Sequence, residues 1–79
     1  MATYDLQFQV DEAKDHDGEW FYQLQHALVR LWQLIQENPD YLVACIFYQD
    51  ENGNLHDVLE YNNESGFEFS DEEIPFHVA

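Results

Sequence analysis

Residues 41–61 read YLVACIFYQDENGNLHDVLEY, and this stretch decides the fold. Tyr41 to Gln49 is rich in β-branched and aromatic side chains and nearly continuous in apolarity, the pattern of a central strand covered on both faces. Glu51-Asn52-Gly53-Asn54 follows. Asn-Gly between two such runs is the strongest short-range hairpin signal, because a type I′ turn needs positive φ at both central residues. Leu55 to Tyr61 is then the return strand. A two-residue loop at Asn52-Gly53 sets the register, with Phe47 opposite Val58, Ile46 opposite Leu59 and Ala44 opposite Tyr61. One face would carry Leu42, Ala44, Ile46, Tyr48, Leu55, Leu59 and Tyr61. The other would carry Val43, Cys45, Phe47 and Val58.

Upstream, residues 2–10 alternate. Ala2, Tyr4, Leu6, Phe8 and Val10 point one way and Thr3, Asp5, Gln7 and Gln9 the other, which predicts a half-buried strand. Asp11 to Gly18 is polar and reads as a loop, with Asp17 as a helix N-cap and Glu19 in the first turn. Residues 19–37 carry a helical stripe of Trp20, Phe21, Leu24, Ala27, Leu28, Leu31, Leu34 and Ile35, ended by Asn38-Pro39-Asp40. Downstream, a turn over Asn62–Gly66 leads to a short run at Phe67-Glu68-Phe69. Ser70 to Ala79 is acidic, then apolar at Ile74, Phe76 and Val78, and Pro75 makes it an edge or an irregular tail. The expected architecture is a single α+β domain over residues 1–79, with 70–79 as the tail. One helix packs on a three- to four-stranded, mainly antiparallel sheet in β-α-β-β-(β) order. One helix covers only one face, so the other must meet the C-terminal segment, a second subunit or a partner.

Charge is the second constraint. The 79 residues hold 17 Asp and Glu against two basic residues, Lys14 and Arg30, a formal net charge of -15. Self-repulsion of this size opposes compaction, yet 46% hydrophobic and 16% aromatic residues place the chain among folded domains. The sign argues against direct binding to nucleic acid or to anionic membranes and for attraction to a basic protein surface. Solubility and a salt-rich environment are the plainer explanations. Cys45 is the single cysteine, so no internal disulfide can form. With no apolar run long enough to span a bilayer and no secretion signal, a cytoplasmic location is expected. On the same ground, the triplet Asn63-Glu64-Ser65 reads as a chance match to a glycosylation site.

The acidic candidates for partner binding fall in two zones. Asp11, Glu12, Asp15 and Asp17 surround the loop before the helix. Asp50, Glu51, Asp57, Glu60, Glu64, Glu68, Asp71, Glu72 and Glu73 form the second. Alternate residues on a strand lie about 6.5–7 Å apart, so strand carboxylates can present a phosphate-like spacing. Tyr22, Val29 and Trp32 sit beside the main helical stripe and form a candidate apolar interface, with a homodimer as one use of it.

Catalytic signals are weak. Ser65 and Ser70 lack a nucleophile-elbow context, and Cys45 lies in the most apolar strand, where a thiol behaves as a small hydrophobe. His16, His26, His56 and His77 show no metal-ligand spacing. Asp15-His16-Asp17-Gly18 resembles part of a calcium loop, but aligning Gly18 with the required glycine places Ala13 and Leu24 at ligand positions. No catalytic residue, metal or cofactor is expected.

The profile (small, highly acidic, aromatic-rich, nearly devoid of Lys) is similar in composition to the nucleic-acid-mimic inhibitors that phages use against restriction or CRISPR effectors. The likeness is carried by no motif, so it assigns no residue roles. The expectation is a non-enzymatic inhibitor or regulator of a nucleic-acid-binding protein. The alternatives are an immunity protein for a cationic nuclease toxin and a structural or assembly subunit.

Overall fold

The alternation of residues 2–10 produces the strand it predicts. In the computed structural model, which describes residues 2–70, β1 spans Thr3–Gln9 and buries Tyr4, Leu6 and Phe8. The chain turns back through a bend in which the Asp11 carboxylate accepts the Ala13 N–H at 2.9 Å and the Asp11 carbonyl accepts the Lys14 N–H at 3.0 Å. It then forms β2 (Asp17–Phe21), antiparallel to β1. This corrects three expectations: a loop through to Gly18, Asp17 as a helix N-cap, and a helix starting at residue 19. The physical reason is a period of two inside DGEWF. Glu19 and Phe21 lie on the side of Leu6 and Tyr4, while Gly18 and Trp20 lie on the other. As a strand the segment also pairs the backbone edge of β1.

Helix α1 (Leu24–Glu37) begins after Gln23, which makes no side-chain cap bond. It ends where Asn38 donates both its backbone N–H and its Nδ2 to the Leu34 carbonyl, each at 2.9 Å, and Pro39 forbids continuation. Strands β3 (Val43–Gln49), β4 (Leu55–Asn62) and β5 (Gly66–Phe69) complete a five-stranded antiparallel sheet ordered β2-β1-β3-β4-β5. The α+β class holds, with one strand more than the upper expectation and β-β-α-β-β-β order.

β2 and β3 both run antiparallel to β1, so they are parallel to each other and α1 is the crossover between them. The helix therefore packs over β1 and β2. Ala27, Leu31 and Leu34 meet Leu6, Phe8, Ala44, Ile46 and Leu59 in one core. At the far end of the same face Tyr61 packs on Phe67, with ring centroids 4.9 Å apart, and Phe69 remains 70% exposed.

The β3–β4 hairpin departs from the expected turn. Gly53 has φ +86°, but no non-glycine residue among those described has positive φ, which excludes type I′ at Asn52-Gly53. Instead the Gly53 N–H donates to the Asp50 carbonyl and Asp50 N–H to the Asn54 carbonyl, each at 3.0 Å. The Asp50 carboxylate accepts the N–H groups of Asn52 and Asn54. The loop is the three-residue kind closed by a left-handed glycine.

That loop shifts the register, and a bulge restores it. Gln49 pairs Leu55 and Phe47 pairs Asp57, whereas Ile46 pairs Leu59 and Ala44 pairs Tyr61 as expected. Val58 is the extra residue and turns into the core, 8% exposed, rather than facing Phe47. Leu55 moves the other way, to the uncovered face.

Asn63 ties the β4–β5 turn to the connection after the helix. Its side-chain oxygen accepts the Leu42 N–H, and its Nδ2 reaches the carbonyls of Asn38 and Pro39 at 3.5 and 3.4 Å. The expected tail at 71–79 lies outside the described residues. Asn63→Ala strands the Leu42 N–H beside a fully buried side chain, and it should lower unfolding free energy by about 1–3 kcal/mol in urea titrations monitored by circular dichroism.

Candidate protein-docking face

The face of the sheet away from α1 is built from cross-strand rows. Trp20, Asp5, Phe47 and Asp57 form one row. Gly18, Gln7, Cys45, Glu60 and Glu68 form the next. In a regular strand Asp57 and Glu60 would point to opposite faces, because side chains alternate. The bulge at Val58 brings both to this one. The result is a diagonal band of carboxylates, Asp5, Asp57, Glu60 and Glu68, running from β1 to β5. Glu60 and Glu68 stand directly opposite each other, a like-charge pairing that opposes sheet stability.

Neither basic residue of the chain lies in the strands that carry this face. Arg30 lies on α1, where its Nε donates to the Glu19 carboxylate at 3.1 and 3.2 Å and its guanidinium carbon sits 6.0 Å from the Phe8 ring centroid. Lys14 lies in the connection between β1 and β2. His16 lines a depression of about 270 Å³ with Gln7, Val43, Cys45 and Glu60.

Cys45 reports the electrostatics of the band. Burial pushes its thiol pKa up, and the charges of Glu60 and Asp57 push it further, against a smaller opposing hydrogen bond from the Gln7 backbone. The thiol is therefore held protonated at neutral pH, the opposite of an activated nucleophile.

The other acidic candidates are dispersed. Asp11, Glu12 and Asp15 occupy the β1–β2 connection, and Asp17 starts β2 on the helix side, opposite Phe8. Glu51 and Glu64 lie in the two hairpin turns. Asp71, Glu72 and Glu73 lie outside the described residues. Asp50 serves its own turn and pairs with His56 Nε2 at 3.0 Å. That hydrogen bond, reinforced by the turn N–H groups, holds its pKa below the ordinary 3.8. Asp5 and Trp20 belong to the face but were not among the sequence candidates. Asp5 stood alone in its strand, and Trp20 fitted the helical stripe.

The expected apolar interface does not form one flank. Tyr22 precedes the helix and packs edge-on against Trp20, ring centroids 5.1 Å apart. Val29 and Trp32 lie on the solvent side of α1, more than half exposed. Residues 20–36 contain no Asp or Glu, so α1 carries no acid before its last residue, Glu37.

Among the described residues no helix is long and apolar enough to cross a membrane, and no group of three or more His, Cys, Asp or Glu could hold a metal ion. No family model, curated protein or solved structure matches the chain.

Two outcomes follow from these electrostatics. Cys45 should react slowly with a thiol reagent at neutral pH, and Glu60→Gln should speed the reaction by removing one of the charges that disfavour the thiolate. Asp50→Asn keeps an acceptor for the turn but removes the carboxylate. A depressed carboxylate stabilises the fold above its ordinary value and loses that contribution as pH falls through the lowered folded value. The melting-temperature gap between wild type and Asp50→Asn should thus be present at neutral pH and close in strong acid.

Proposed function

We propose that this chain is a non-catalytic cytoplasmic binding protein that occupies the basic groove of a nucleic-acid-binding protein, in the manner of phage anti-defence inhibitors. The observation that carries the reading is the carboxylate band. Asp5, Asp57, Glu60 and Glu68 are set on strands of one sheet face, and neither Lys14 nor Arg30 lies in those strands. Neighbouring strands lie about 4.8 Å apart, so the carboxylates are spaced at roughly 5–10 Å, a range suited to rows of Lys and Arg that normally meet phosphates. Phe47, Val43 and Leu55 on the same face supply apolar contact between the charges. Fixed charge on a folded sheet loses less entropy on binding than charge on a flexible tail. An immunity protein for a cationic nuclease toxin would use the same geometry and is the alternative identity within this reading.

A structural or assembly subunit is the second reading, favoured by the acid-free stretch of α1 that exposes Leu28, Val29 and Trp32. The two readings use opposite layers, so variants separate them. Tagged protein should retain basic lysate proteins at low salt, lose them as the Debye length falls below about 10 Å near 0.1 M salt, and release them to duplex DNA. The double variant Glu60→Lys/Glu68→Lys should abolish this capture, whereas Trp32→Ala should leave it intact. Capture that survives high salt and the double reversal, but is lost in Trp32→Ala, would replace the first reading with the second.

A further inference from the structure

A depression of about 500 Å³ opens on the acidic face between β2 and β1, lined by Thr3, Asp5, Gln7, Gly18, Trp20 and Tyr22 among others. We infer that it accepts an arginine side chain of the protein partner, as the anchor of the docking proposed above, on which this inference rests. Trp20 and Tyr22 stay 60% and 57% exposed, set edge to face with centroids 5.1 Å apart. Two large aromatic rings held in water beside a carboxylate are matched by a group that is both flat and cationic. Guanidinium stacks on indole and forms paired hydrogen bonds to carboxylate, whereas ammonium is a compact, strongly hydrated point charge.

Asp5 is the cross-strand partner of Trp20. Thr3 Oγ1 donates to Asp5 Oδ1 at 3.1 Å and fixes the carboxylate, while Oδ2 has no partner among the described residues. Gly18 provides the room. It sits opposite Gln7 and two residues before Trp20, and the missing side chain leaves the floor of the depression as backbone. A Cβ placed there would meet only the Leu6 carbonyl oxygen, at 3.9 Å, so nothing in the packing demands glycine at this position. Glu19 also lines the depression, but its carboxylate bonds Arg30, which leaves Asp5, the cross-strand partner of Trp20, as the carboxylate for the guanidinium.

The test uses the full chain with Trp32→Phe, so that Trp20 is the single tryptophan and its emission reports the depression. The probes are blocked Gly-Arg-Gly and Gly-Lys-Gly tripeptides. Saturable change in Trp20 emission with the arginine peptide is expected, weakened by about tenfold or more in Asp5→Asn and lost in Gly18→Val, which fills the space with a strand-forming residue. Circular dichroism should show Gly18→Val folded. An equal response to the lysine peptide, or arginine binding unchanged in folded Gly18→Val, would overturn the assignment. The two proposals fail separately. If the arginine peptide gives no response while DNA-displaceable capture of basic proteins persists, the pocket is wrong and the docking stands. If the peptide binds but no such capture occurs, the docking is wrong.

Discussion

One extra residue in β4 governs which side chains share a face. Val58 occupies a bulge, so the half of the strand near the turn is out of phase with the half near Tyr61. With the three-residue turn and no bulge, Leu59 would lie in the acidic face and Glu60 on the helix side of the sheet. The bulge exchanges them. The core gains Leu59, at 3% exposure, next to Val58, and the outer face gains Glu60 as a second β4 carboxylate beside Asp57. The three-residue turn at Glu51–Gly53 sets the phase that the bulge corrects, and the Asp50 carboxylate supports that turn through two N–H groups. Turn, bulge and carboxylate band are thus one coupled feature.

The second determinant is the crossover. A helix linking two parallel strands must lie across the strand between them, so α1 is confined to β1 and β2. It covers one face only, and the chain has no second helix among its described residues. The uncovered face carries Asp5, Asp57, Glu60 and Glu68, while residues 20–36 carry no acid. Within that face Glu60 and Glu68 are directly opposed. A sheet selected for stability alone would pair one of them with Lys, worth about 0.2–1 kcal/mol.

Much of this was legible in the sequence. β1 followed from strict alternation, the body of α1 from its period, and the hairpin from Asn52-Gly53 between apolar runs. β2 was hidden because Trp20 and Phe21 satisfy a helical period as well as a strand period, and because a loop of acids precedes them. The bulge was hidden because a one-residue insertion leaves composition untouched while reversing every side chain beyond it. For the same reason Glu60 and Glu68 were identifiable as strand acids, but their alignment with Asp5 and Asp57 was not. Tyr22 left the expected helix flank once β2 replaced the first turn, and it became part of the Trp20 depression instead.

The central claim, that the acidic sheet face is the docking surface, is tested most directly by carboxyl footprinting of the chain alone and in complex with a basic protein that it retains at low salt. Carbodiimide labelling read by mass spectrometry should fall at Asp5, Asp57, Glu60 and Glu68 in the complex and stay unchanged at Asp17 and Glu37, which lie on the helix side. Unchanged labelling of those four carboxylates in a verified complex would contradict the account.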